Sequence, residues 1–83
     1  AHTALVKTYN SNAQVPDSAG TASAMNTGVK TRIGVINMAE DQGPEACATP
    51  EKLPRTFADI ARGQGMGLGI VTTTRITHAT PAA

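Results

Sequence analysis

The sequence predicts an α/β fold with an open, parallel sheet. Two apolar or β-branched runs read as strands, Thr-Ala-Leu-Val-Lys-Thr-Tyr at 3–9 and Leu-Gly-Ile-Val-Thr-Thr at 68–73. A helical pattern built from small residues lies between them, after Val15-Pro16-Asp17-Ser18. The elements run strand, helix, short strand, helix, strand, helix start, and this alternation is the mark of an open α/β sheet.

Each element has a local reason. Residues 3–9 are rich in β-formers and short enough for one strand. Residues 10–17 are polar and end in Val15-Pro16, so they read as an extended loop. From Ala19 the apolar positions Ala19, Ala22, Met25 and Val29 fall near one helical face, and Gly28 is a natural terminator. Either Asp17 or Ser18 can cap this helix. Residues 33–36 read as a short strand, and residues 40–49, with Gly43 and Pro44, as a solvated polar loop.

A second helix starting at Thr49-Pro50 would enclose Pro54 and lose a backbone hydrogen bond. Starting it at Pro54 removes the conflict. Phe57, Ile60 and Ala61 then share a face, and Gly63 or Gly65 ends the helix. Thr80-Pro81-Ala82-Ala83 reads as a cap, a first-position proline and the opening of a third helix. A single turn does not sustain itself, so the chain is expected to be an excerpt of a larger protein. The absence of an initiating methionine at Ala1 points the same way.

Composition narrows the function. At 83 residues with one Phe, one Tyr and no Trp, the chain is at most one small domain with little large apolar surface to bury. The net charge of +1, with scattered basic residues, argues against nucleic acid as a partner. No apolar run approaches the about 20 residues that span a bilayer, and no leader of signal-peptide type is visible. Cys47 is single, so it is a free thiol or its partner lies outside this chain. Gly63, Gly65, Gly67 and Gly69 precede a strand instead of opening a helix, which excludes a dinucleotide fingerprint.

The candidate chemistry gathers at two places. A helix start presents free N–H groups and partial positive charge, so Ser18 would hold its oxygen beside an anion site, as a phosphoryl-accepting nucleophile requires. Serine needs an activating base or metal, and no Gly-x-Ser-x-Gly elbow surrounds it. Taken alone, local sequence favours capping roles for both Asp17 and Ser18. His78 and Thr80 follow the 68–73 strand, where ligands of open α/β folds collect. The threonine hydroxyl suits magnesium and the imidazole suits zinc, although surface and capping roles fit these two residues as well.

Two segments read together change the balance. Ala13-Gln14-Val15-Pro16-Asp17-Ser18-Ala19-Gly20-Thr21-Ala22-Ser23-Ala24, followed by Thr27-Gly28-Val29-Lys30-Thr31, resembles the nucleophile region of the alkaline phosphatases. Val71-Thr72-Thr73-Thr74-Arg75-Ile76-Thr77-His78-Ala79-Thr80-Pro81-Ala82-Ala83 resembles the segment of that family that reaches its magnesium site. The intervening helix and glycine-flanked strand are similar too, so the resemblance covers essentially the whole chain.

The resemblance implies that residues 1–83 are a fragment of a single alkaline-phosphatase-like catalytic domain, a portion of a three-layer α/β/α sandwich with a mostly parallel central sheet. It implies phosphomonoester hydrolysis in which Ser18 attacks phosphorus and becomes a phosphoserine, later hydrolysed, at a site with two zinc ions and one magnesium. Ser18 would bind zinc, Asp17 would help orient a phosphate-clamping arginine, and Thr80 would be a magnesium ligand. His78 stands where some enterobacterial members have aspartate and animal-type and several marine bacterial members have histidine, so it falls near the magnesium. Cys47 lies where animal-type members carry a disulfide cysteine. The parent is implied to be a periplasmic or extracellular homodimer acting on phosphomonoesters and releasing inorganic phosphate.

The resemblance also implies what is missing. Most zinc ligands would lie beyond residue 83, the metal-bridging aspartate ahead of residue 1, and the phosphate-binding arginine shortly after Ala83. None of Arg32, Arg55, Arg62 or Arg75 takes that arginine's place. The isolated 83-residue chain is therefore expected to be inactive and without a stable fold. The alternatives are a non-catalytic anion-binding α/β module and an inactive structural fragment.

Overall fold

A computed structural model describes residues 1–41 and 53–83. Three helices are present among them: α1 (Ser18–Thr27), α2 (Phe57–Gly63) and α3 (Ala79–Ala82). Helix α1 packs against both of the others. Cys47, Thr49-Pro50 and most of the polar 40–49 loop lie outside the described residues.

The expected strands at 3–9, 33–36 and 68–73 do not form. Among the described residues, β pairing is confined to one antiparallel bridge between Asn10 and Ala13. An extended segment becomes a strand only when a neighbour meets its N–H and C=O groups. Here residues 3–9 and 68–73 make no ladder, and Leu5 and Val71 are fully exposed. The β-propensity is present in the sequence, but no partner strand lies alongside among the described residues. The parallel sheet and the sandwich expected around it are therefore not seen in these residues.

Helix α1 follows its local signals closely. Asp17 is its N-cap, in extended conformation, and its carboxylate accepts from the Gly20 N–H. Gly28 ends it at φ 75°, a left-handed conformation in which glycine has no Cβ penalty, and its N–H reaches the Ala24 carbonyl. The buried face is Ala19, Gly20, Ala22 and Ser23. It does not extend to Met25, which is 75% exposed.

The core is small and largely polar. Among the described residues, Ala19, Ala22 and Val35 are the buried apolar residues; Asn10, Ser23 and Thr31 are buried with them. Hydrogen bonds do much of the holding. The Ser23 hydroxyl donates to the Ala19 carbonyl and accepts from the Asn37 N–H at 2.8 Å. Asn37 takes a left-handed φ of 51°, which asparagine tolerates, and its side-chain amide donates to the Ala83 carbonyl, tying α1 to the end of α3. Segment 7–13 is sewn to segment 30–34. The Ser11 N–H donates to the Thr31 carbonyl, and the Ile33 N–H to Asn12 Oδ1. Lys30 Nζ caps the Tyr9 carbonyl at 2.7 Å and lies 4.0 Å over the Tyr9 ring.

Helix α2 begins three residues later than Pro54. Thr56 is its N-cap, and a capping box joins the Thr56 hydroxyl to the Asp59 N–H and the Asp59 carboxylate to the Thr56 N–H. Those bonds, with Arg55 and Arg62 nearby, hold the Asp59 carboxyl below the ordinary aspartate range. Gly63 is the last helical residue and Gln64 the C-cap. Gly65, at φ 77°, then turns the chain so that Met66 N–H meets the Ala61 carbonyl and Gly65 N–H the Arg62 carbonyl. That pair of bonds is a Schellman motif.

Helix α3 also departs from expectation. Its N-cap is His78, not Thr80, without a side-chain capping bond, and Pro81 sits third in the helix.

Candidate active site

The start of α1 is assembled by three segments that meet on one carboxylate. Asp17 Oδ1 accepts from the Gly20 N–H at 2.9 Å and from Asn10 Nδ2 at 2.8 Å, while Oδ2 accepts from the Gly34 N–H at 2.7 Å. The Asp17 main-chain carbonyl takes the Thr21 N–H and the Thr21 hydroxyl. Burial pushes the Asp17 carboxyl up, yet the donors from Gly20, Asn10 and Gly34 together hold it below the ordinary aspartate value. Asp17 is an ionised cap that also anchors the 10–13 turn and the Gly34 turn.

With the cap assigned to Asp17, the capping reading of Ser18 falls away. Ser18 is the first residue of α1, is exposed, and its hydroxyl makes no hydrogen bond among the described residues. The N–H groups of Ser18 and Ala19 have no acceptor inside the helix. A free hydroxyl next to two free N–H groups at the positive end of a ten-residue helix suits an anion whose phosphorus the oxygen could reach.

Thr80 and His78 are exposed on and before α3. Thr80 lines a cavity of about 450 Å³ with Asn26, Thr56, Ile70 and Pro81. Ser18 does not line it, and Asn26 lies about 12 Å from Ser18 along the helix axis. Helix α3 packs on α1, and the cavity against Thr80 is lined by Asn26, near the end of α1 away from Ser18. Among the described residues no group of three or more His, Cys, Asp or Glu is placed to hold a metal ion. These residues offer single hydroxyl donors, Ser18 and Thr80, and do not by themselves fit a zinc or magnesium centre.

Sequence reasoning missed Asn10 and Gly34. Both sit in turn-forming sequence, but their bonds to Asp17 link positions 7 and 17 residues apart, which no local pattern announces. The Thr56-x-x-Asp59 spacing is the local signal for the α2 capping box.

Comparison with known proteins shows which class of protein carries such a helix start. The alkaline phosphatase family model matches residues 1–83. The tissue-nonspecific isozyme of alkaline phosphatase from Gallus gallus is 48% identical over 83 residues, 99% of this chain and 16% of that protein. Membrane-bound alkaline phosphatase from Bombyx mori is 47% identical over 81 residues, 94% of this chain and 15% of that protein. The solved alkaline phosphatase of the Antarctic bacterium TAB5 superposes with a TM-score of 0.77 at 35% identity, covering 93% of this chain and 20% of that one. A variant of that enzyme with magnesium bound in its M3 site gives 0.78 at 34% identity. The chain belongs to the alkaline phosphatase family, and it spans about a sixth to a fifth of the length of these relatives.

Proposed function

We propose that this chain supplies the nucleophile segment of an enzyme that hydrolyses phosphomonoesters through a phosphoserine. The observation that carries the reading is the division of labour at the start of α1: Asp17 takes the cap, and the Ser18 hydroxyl is left exposed and unbonded. In the proposed step the Ser18 oxygen attacks phosphorus, the bond to the ester oxygen breaks, and the alcohol leaves. Water then attacks the phosphoserine, releasing inorganic phosphate and restoring the hydroxyl.

The chain's own contribution is position. Asp17, fastened by Gly20, Asn10 and Gly34, sets the direction in which the helix begins, and the free N–H groups of Ser18 and Ala19 can face phosphate oxygens. Asp17 keeps its negative charge, which supports the role of orienting a cationic phosphate clamp contributed elsewhere in the enzyme. Family membership supports two zinc ions and one magnesium as the enzyme's metals. Ser18 would donate to zinc and Thr80 to magnesium, with His78 nearby, and the remaining ligands would come from outside residues 1–83. When bound, such ions acidify hydroxyl groups and stabilise the departing oxygen.

The same relationship supports a homodimeric, periplasmic or extracellular parent. No helix among the described residues is long and apolar enough to cross a membrane. Replacing Ser18 with alanine in the full-length enzyme tests the reading: hydrolysis of an aryl phosphate should fall by at least about a thousandfold, as when an activated nucleophile is removed. Retention of most of the activity would refute it.

A further inference from the structure

We propose that Asn10 is a positioning residue for the Ser18 nucleophile, acting through Asp17; the proposal rests on the reading of Ser18 given above. Asn10 is 3% exposed, a costly place for a carboxamide unless its hydrogen bonds matter. Its backbone is pinned on both faces of the turn: Asn10 N–H donates to the Ala13 carbonyl at 2.9 Å and the Ala13 N–H to the Asn10 carbonyl at 3.3 Å. From that fixed base the side-chain amide donates to Asp17 Oδ1 at 2.8 Å.

The helix is shaped to receive it. A Cβ built on Gly20 would fall onto the Asn10 carboxamide, with Cγ 2.6 Å and Nδ2 2.7 Å away. Glycine in the first turn of a helix costs stability relative to alanine, and here its missing side chain is the space that Asn10 occupies. Asp17 Oδ1 therefore receives two donors, one from its own helix and one from the 10–13 turn. The second fixes the carboxylate from outside the helix. Asp17 immediately precedes Ser18, so a swing of its carboxylate would alter both the cap and the direction in which the first helical residue presents its hydroxyl. An asparagine does this without adding charge beside an anion site, whereas a lysine or arginine there would compete for the phosphate.

The test compares Asn10→Ala, Asn10→Leu and Asn10→Asp in the full-length enzyme with an aryl phosphate. Single-turnover phosphoserine formation, kcat and KM are read, with thermal melts to establish that each variant is folded. Asn10→Leu keeps the volume without the donor, and Asn10→Asp keeps the shape but sets a carboxylate against Asp17. If Asn10 positions the nucleophile through its donor, all three slow phosphoserine formation by about ten- to a hundredfold, the rate equivalent of one hydrogen bond to a charged group, with KM changed much less. Asn10→Asp should be at least as slow as Asn10→Ala. In an Asp17→Ala background, which removes the acceptor, Asn10→Ala should add little further loss. Wild-type rates in a folded Asn10→Leu or Asn10→Asp enzyme would overturn the proposal, because space filling alone would then suffice. Failure of the Ser18 reading itself would look different: phosphoryl trapping would persist in Ser18→Ala whatever the Asn10 variants do.

Discussion

The backbone N–H of Gly34 donates to Asp17 Oδ2 at 2.7 Å, joining a turn beyond α1 to the residue that begins it. Both ends of the α1 connection are thereby closed on one carboxylate, and the exposed Ser18 hydroxyl sits next to that closure. Asp17 carries more than a cap.

Replacing Asp17 with alanine should therefore cost more than a capping residue alone. A lost cap costs about 1 kcal/mol, and the amide of Asn10 and the N–H of Gly34 lose their acceptor at the same time. We expect a loss of about 2–3 kcal/mol in the full-length enzyme, read by chemical denaturation, with Asp17→Asn losing less because asparagine also caps.

The pH dependence of that contribution has a definite sign. The folded Asp17 carboxyl lies below its ordinary value, so the folded state favours the ionised form. Its stabilisation is fully present above the ordinary aspartate range and is lost as pH falls through the lowered folded value. The stability difference between wild type and Asp17→Asn should shrink on acidification through that window. A difference that grew toward acid pH would contradict the assignment.

Gly20→Ala should reverse the usual helix rule. On propensity alone alanine would gain up to about 1 kcal/mol. Here its methyl group meets the Asn10 carboxamide, so the variant should be less stable than wild type by denaturant unfolding.

The 83-residue chain alone should show neither zinc-dependent hydrolysis of an aryl phosphate nor a cooperative thermal transition. Its buried apolar residues in the described regions are Ala19, Ala22 and Val35, and no metal-holding cluster is present among those residues. Calorimetry and a phosphatase assay on the peptide check both halves.

The legible parts of the structure were those set by neighbouring residues. Asp17, the small-residue run and Gly28 announce α1 because capping, close packing and a left-handed stop are local chemistry. Gly63 and Gly65 mark the end of α2 for the same reason. Residues 68–73 have strand-forming side chains, but pairing depends on a neighbouring strand that no local pattern contains. At the proposed site, the motif points to Ser18 and Asp17. Nothing local announces Asn10, because its bond to Asp17 depends on a turn folding back onto Gly20 and Asp17.

If the Ser18 oxygen accepts the phosphoryl group, phosphate is trapped on Ser18 during turnover. The direct measurement is to quench the full-length enzyme in acid during turnover, digest it, and map the phosphorylated residue by mass spectrometry. Phosphate is expected on the peptide containing Ser18 and none in the Ser18→Ala enzyme. Phosphate on another residue, or undiminished labelling of the Ser18→Ala enzyme, would contradict it.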